Sequence, residues 1–351
     1  MPLQNMKNNR LRLPAEWEPQ DAIILAWPHA HTDWAYMLDE VRQCFYNIIK
    51  AILNEGERVV VLHENIDDDR LAEIKRCGAI LVETQFNDTW ARDTCPITLL
   101  DEEGKATFCD FMFNGWGLKF ASDRDNLINR SLYNKHLLQG TYANHLNFVL
   151  EGGSIESDGK GTILTSAECL LSPNRNGGSS KDDIEIYLLN TFGAKKMLWI
   201  NHGYLEGDDT DSHIDTLARL APDDTILYVK CSDKADPHFS ELAEMEKELR
   251  EMLTLEGKPF RLLPLPMPNK IVDEEGLRLP ATYANFLIGN GFVLVPTYNH
   301  KETDEEALAT IGKAFPDRQI IGIDCRALIK QHGSLHCVTM QLPQNTLNID
   351  E

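Results

Sequence analysis

No apolar run in this 351-residue chain approaches the roughly 18 to 20 residues that a helical bilayer span requires. A membrane-embedded role is therefore not expected. The stretch Met1 to Arg12 lacks the apolar region and small-residue cleavage site of a secretory signal, so the expected location is cytoplasmic. The eight cysteines, at positions 44, 77, 95, 109, 169, 231, 325 and 337, nowhere adopt C-x-x-C spacing. That pattern argues against a zinc knuckle and, in so long a chain, against a disulfide scaffold. Basic residues are few: 34 Lys and Arg stand against 55 Asp and Glu, a net charge of −21. Such a field repels phosphate backbones and concentrates cations, so nucleic acid is not an expected partner and a small cation is. Acidity also serves solubility by itself. No long Ser, Gly or Pro tract divides the sequence, and the Pro-rich stretch Pro259 to Pro268 reads as strand edge and turn. One domain over residues 1–351 is the expectation.

What the chain does contain is a recurring alternation. Short runs rich in Val, Ile and Leu have strand length at Ala22 to Trp27, Arg58 to Leu62, Ala79 to Val82, Ile97 to Leu100 and Leu146 to Leu150. Others follow at Thr162 to Thr165, Thr225 to Val229, Arg261 to Leu265, Phe292 to Val295 and Gln319 to Ile323. Between them lie helical spacings at Trp34 to Asn54, Asp67 to Cys77, Asp123 to Leu138, Lys181 to Phe192, Phe239 to Leu253 and Asp304 to Ala314. The class is α/β, with a hint of repeated ββαβ units that periodicity alone does not prove.

Several polar clusters punctuate this frame. Cys337 follows the flexible turn Gly333-Ser334 and opens an apolar run. A thiol there is either packing or a nucleophile, and the second role needs an environment that favours thiolate; His332, His336 and His213 are candidate neighbours. Glycine at 333 lets backbone approach a ligand, and amide N–H groups or the Ser334 hydroxyl suit a charged intermediate. His213 and Asp215 stand two apart, so they share a face only on an extended segment; the alternative is a helix capped by Asp211 or Ser212 and running to Leu220. Asp93 follows Trp90 and Arg92, and an aromatic face beside a carboxylate suits a planar cation, although an Arg–Asp surface pair explains the same residues. Glu151 ends a strand before Gly152-Gly153, where a hairpin turn is equally consistent. The acidic density from Asp208 to Asp215 also admits a metal site, without the spacing of a calcium loop.

Taken in order, these segments resemble the agmatine deiminase family, relatives of bacterial peptidyl-arginine deiminases within the guanidino-group-modifying superfamily. The carriers are Pro14-Ala15-Glu16-Trp17-Glu18-Pro19, Ala26-Trp27-Pro28-His29, Asn87 to Pro96, Phe113-Asn114-Gly115-Trp116-Gly117, Glu151 to Ser157, Cys169 to Asn176, Gly207 to Asp215, Leu279 to Tyr283 and Gln331 to Gln341. The resemblance spans nearly the whole chain. It implies a five-bladed α/β propeller with pseudo-fivefold symmetry and a site on its axis. It further implies Cys337 as nucleophile, His213 as general acid/base, Asp93 and Asp215 gripping a guanidinium, and Glu151 binding the guanidinium and orienting His213. Trp90 would line the channel for an aliphatic stem, Asp209 would face a distal amine, and Trp116, Gly333 and Ser334 would complete substrate binding. The implied activity is agmatine hydrolysis without metal or other cofactor, with homo-oligomerisation left open. Peptidyl-arginine or free-arginine deimination, guanidine transfer, a non-catalytic polyamine-binding protein and a metallohydrolase are the alternatives.

Overall fold

The computed structural model describes residues 10–64 and 68–348, so most of the Met1 to Arg12 reading and the Asp67 helix start lie outside the described residues. Sixteen strands are present among them: β1 (Gln20–Ala26), β2 (Arg58–His63), β3 (Ile80–Glu83), β4 (Ile97–Leu100), β5 (Ala106–Met112), β6 (Thr141–Val149), β7 (Ile155–Ser157) and β8 (Thr162–Ser166). The second half adds β9 (Lys196–Ile200), β10 (Ala218–Ala221), β11 (Thr225–Lys230), β12 (Arg261–Pro266), β13 (Leu287–Gly289), β14 (Phe292–Thr297), β15 (Gln319–Asp324) and β16 (Met340–Pro343).

They form five small sheets with one plan. In β4-β5-β6, β7-β8-β9, β10-β11-β12 and β13-β14-β15, the first pair is antiparallel and the second parallel. A parallel pair needs a crossover, and helices supply it, such as Lys181–Phe192 between β8 and β9 and Phe239–Glu251 between β11 and β12. The fifth sheet, β16-β1-β2-β3, repeats the plan with a strand borrowed from the other end of the chain. Here β16 pairs antiparallel to β1, with Ala22 opposite Leu342 and Ile24 opposite Met340, while β1 runs parallel to β2. The C-terminal segment carrying Cys337 is thereby fastened to the N-terminal unit.

Local sequence explains the elements. Helix Leu38–Asn54 buries Val41, Cys44, Phe45, Ile48, Ile49 and Ile52, an i, i+3, i+4 stripe against the parallel strands, and Gly56 follows it at φ +81°. Helix Lys181–Phe192 begins with a reciprocal Ser180–Asp183 cap and ends at Gly193 in the left-handed region. Central strands such as β11 and β14 are buried on both faces, which is why they read as unbroken apolar runs.

The sequence reading missed β5, β7, β9, β10 and β13, all in segments not marked as strands, and marked only the opening of an apolar run where β16 forms. Its helix running to Leu220 is replaced by the single turn Ile214–Leu217 followed by β10, because Ala218–Ala221 pair with Thr225–Tyr228. Asp211 and Ser212 do not cap that turn: both sit at positive φ, and His213 occupies the cap position. Pro264 and Pro266 lie in β12 at a sheet edge, where a missing N–H leaves no ladder gap. Among the described residues no helix is long and apolar enough to cross a membrane.

Candidate active site

Each repeat delivers a polar group from the segment running into its first strand. Trp90 and Asp93 precede β4, Glu151 precedes β7, and His213 and Asp215 precede β10. Asn285 precedes β13, and Cys337 precedes β16. Five loops that are remote in sequence thus meet at one place.

Cys337 is only 6% exposed. Its Sγ lies 3.3 Å from Asn285 Oδ1 and 3.8 Å from Asp215 Oδ2. The same Asn285 oxygen accepts the backbone N–H of His336 at 2.9 Å and of Cys337 at 3.2 Å, so the amide fixes the loop that carries the thiol. Asp215 Oδ2 also meets His336 Nδ1 at 2.7 Å, while Asp215 Oδ1 and His213 Nε2 are buried with no hydrogen-bond partner. His213 Nδ1 lies 3.8 Å from Asp93 Oδ1. Asp93 is aimed by two donors, the Gly153 N–H at 2.8 Å and Trp116 Nε1 at 2.9 Å.

Glycine is required at the junction. A Cβ on Gly153 would stand 2.7 Å from His213 Nδ1 and 3.0 Å from both Asp215 Oδ2 and Asp93 Oδ1, so any side chain would fill the space where these groups converge. One on Gly333 would strike the Trp90 ring at 2.1 Å.

Above the thiol opens a cleft of about 380 Å³, and its walls include Trp90, Asp93, Trp116, Asp209, Gly333 and Cys337. Trp90 and Trp116 meet edge-on at 6.4 Å between centroids and form a narrow aromatic collar. Asp33, Asp88 and Asp209 make its outer part acidic, and no Lys or Arg lines it among the described residues. Not every expected residue reaches this cleft. Both Glu151 oxygens accept from Arg175 Nε, at 2.9 and 3.1 Å, so Glu151 sits beneath His213 in an ion pair. Ser334 is buried with its hydroxyl 3.1 Å from Tyr298. Asp208 uses one oxygen on the Thr210 hydroxyl and the other on the Ser212 N–H, shaping its loop. A larger cavity, about 630 Å³ and lined by Pro14, Glu16, Arg92, Glu156 and Gln341, does not include the thiol.

Burial sets the electrostatics. It lifts the Asp93 carboxyl to about 8, helped by the nearby Asp215 and Glu151 charges and opposed by the Trp116 and Gly153 donors. Burial lifts Asp88 to about 8 and Asp209 to about 6. The Cys337 thiol is pushed well above its ordinary value by burial and by Asp215 and Asp93. Burial lowers His213 to about 3, against the pull of Asp215. The free site therefore holds a neutral thiol, a neutral imidazole and partly protonated carboxyls, and a cation set among them favours ionisation of the thiol and the carboxyls.

Sequence reasoning did not find Asn285 or Arg175. Asn285 lies just beyond the Leu279 to Tyr283 match, and its place before a first strand is the only signal that marks it. Arg175 Nη1 reaches Asp211 at 2.5 Å and its Nη2 the Thr210 carbonyl at 2.8 Å, which ties the Glu151 loop to the loop carrying His213.

Five repeated α/β units meeting at a buried thiol, an imidazole and carboxyl groups define the class of fold and site to which the chain belongs. The chain belongs to the Porphyromonas-type peptidyl-arginine deiminase family, whose pattern matches residues 12–343. It is similar to a provisionally named arginine deiminase from Porphyromonas gingivalis, 50% identical with a TM-score of 0.90, covering 96% of this chain and 100% of that one. A cysteine-to-serine variant of C. jejuni agmatine deiminase with substrate bound is 36% identical with a TM-score of 0.88, covering 96% and 97%. A provisionally named agmatine deiminase of Legionella pneumophila (strain Paris) is 34% identical over 338 residues, 95% of each chain.

Proposed function

We propose that this protein is an agmatine deiminase, hydrolysing agmatine to N-carbamoylputrescine and ammonia in the cytoplasm through a covalent thiouronium on Cys337. In this reading the chain is one catalytic domain, and its five sheets are the blades of a propeller with the site on the axis. The observation that carries the choice of substrate is the outer cleft, where Asp33 and Asp209 offer carboxylates beside the carboxyl of Asp88 and no Lys or Arg is present among the described lining residues. A distal amine is favoured there, and the carboxylate of arginine or of a peptide C-terminus is not. The likeness to an agmatine deiminase with substrate bound supports the same reading.

Asp93 and Asp215 clamp the guanidinium, whose paired N–H donors match carboxylate oxygens, and so hold its central carbon over Sγ. The thiol proton passes to His213 as sulfur attacks that carbon. The C–N bond to one terminal nitrogen then breaks, the proton returning to it from His213, and ammonia leaves a thiouronium cation. Water, deprotonated by His213, adds to the same carbon; the C–S bond breaks with its electron pair on sulfur, the ureido product departs as its hydroxyl proton passes to the thiolate, and His213 returns its proton to solvent. Glu151, paired to Arg175, sets the charge beneath the imidazole, and Trp90 and Trp116 enclose the aliphatic stem.

Mass spectrometry of products from agmatine, free arginine and C-terminal arginine peptides tests the proposal. Exclusive conversion of the peptides would transfer the activity to peptidyl-arginine, and no conversion of any would leave a polyamine-binding protein. Within the same assay Asp209→Asn is expected to raise KM for agmatine about 10-fold, while a guanidino substrate lacking the distal amine changes little. Equal weakening of both would remove Asp209 from the distal contact.

A pH dependence follows from Asp93. Its carboxyl is mostly protonated below about 8 in the free protein and must ionise to hold a guanidinium that stays charged throughout. Agmatine affinity is expected to rise with pH from 6 to about 8 and then level off, with protons released on binding. Calorimetry of the Cys337→Ser protein in buffers of different ionisation enthalpy measures both effects; a flat profile with no proton release contradicts the clamp.

A further inference from the structure

The two oxygens of Asp215 are in unlike states. Oδ2 is engaged by His336 Nδ1 at 2.7 Å and faces Sγ at 3.8 Å, whereas Oδ1 is buried without a partner. His336 is itself fully buried and lies on the side of Asp215 away from the cleft. Its other nitrogen, Nε2, is 3.0 Å from Arg219 Nη2 and 2.8 and 3.1 Å from the two Glu16 oxygens. Arg219, also fully buried, is fixed by Glu16 at 2.6 Å, by Glu156, and by the Ala284 and Phe286 carbonyls at 3.1 and 2.6 Å. Arg92 completes the surroundings, 2.9 Å from Glu16.

These contacts decide which way the imidazole donates. Arg219 has only N–H donors, so it directs a hydrogen at Nε2 when the ring is neutral and leaves the ring proton on Nδ1. Protonating the ring against Glu16 adds a proton at Nε2 and leaves the Nδ1 proton in place. Burial, Arg219 and Arg92 favour the neutral ring, while Glu16 and Asp215 favour the cation. In both forms Asp215 receives an N–H.

We infer that His336 is a positioning residue for the reaction: its Nδ1–H holds Asp215 Oδ2 and leaves Oδ1 free to accept a guanidinium N–H. Glu16 and Arg219 hold the ring for that purpose, so a contact spanning 320 residues couples the N-terminal segment to the clamp. The inference rests on the deiminase reading for the identity of the cation. Without the donor, Asp215 loses the strongest influence opposing its burial and keeps only those of His213 and Arg219, so its carboxyl ionises at higher pH.

The test compares agmatine binding by calorimetry from pH 6 to 9 in the Cys337→Ser protein, alone and combined with His336→Leu or His336→Asn. Leucine removes the donor, and the asparagine amide nitrogen stands close to where Nδ1 stood. The leucine variant is expected to bind about 10- to 100-fold more weakly at pH 7, the range for a hydrogen bond to a charged group. Asparagine is expected to recover most of the loss. Equal binding by the two variants overturns the inference. Absence of binding in the parent Cys337→Ser protein instead removes the deiminase reading. Should the leucine variant not fold, nitrogen-15 NMR of the unaltered protein decides: a protonated His336 Nδ1 across pH 6 to 9 supports the role, and an unprotonated one overturns it.

Discussion

Cys337→Ser is expected to lower kcat by about 10⁴-fold or more, with agmatine binding and the fold retained. The serine hydroxyl keeps the small volume and can donate to Asn285 Oδ1 as the thiol does, so the loop held by that amide has no reason to move. What is lost is the nucleophile, because a hydroxyl ionises far less readily than a thiol and no group nearby replaces it. The thiol itself needs help. Burial, Asp215 and Asp93 all favour its protonated form in the free protein, and a guanidinium set between those carboxylates reverses the sign of the local field. Iodoacetamide should therefore label exposed Cys77 without loss of activity, and Cys337 only slowly at pH 7. Ammonia release measures turnover, calorimetry measures binding, and unaltered turnover in the serine protein would remove Cys337 from the chemistry.

How much of this was legible in the sequence differs from residue to residue. Cys337 and Gly333 were readable because the constraint is local: a small flexible turn before an apolar run that becomes β16. Trp90 and Asp93 were readable for a similar reason, an aromatic and a carboxylate within four residues on a turn ended by Pro96. His336 was visible as a neighbour of the cysteine, but its partner Glu16 was not. That contact exists only because β16 closes onto β1, and no spacing rule reaches across the chain. The failure at Ile214 to Ala221 has a physical cause as well. Ile214, Leu217 and Leu220 fall at helical spacing, yet Ala218–Ala221 are buried on both faces by strand pairing, so tertiary contact outweighed the local period. Asn285 was missed because a lone amide among apolar residues carries no signal until the repeat is known. Once each first strand is seen to be preceded by a polar group, the position before β13 becomes the place to look.

His213→Asn is expected to reduce kcat by about 10²- to 10⁴-fold while KM changes only a few-fold. The imidazole lies under the clamp and contributes no hydrogen bond to the proposed grip, so its loss removes proton transfer and leaves binding largely intact. Burial lowers its pKa to about 3, with Asp215 pulling the other way and Arg175 reinforcing the depression. It is therefore a free base over the whole working range, ready to take the thiol proton when the cation arrives, and its own titration cannot shape activity above about pH 5. The rise of kcat/KM toward pH 8 then belongs to the cleft carboxyls that burial lifts, Asp93 at the clamp together with Asp88 and Asp209, and the asparagine variant should keep that rise at a much lower level. This separates two assignments that a single rate cannot. If the variant lost the pH dependence along with the rate, His213 rather than the cleft carboxyls would be the titrating group; if it kept full activity, the thiol proton would have to leave by way of the carboxylates.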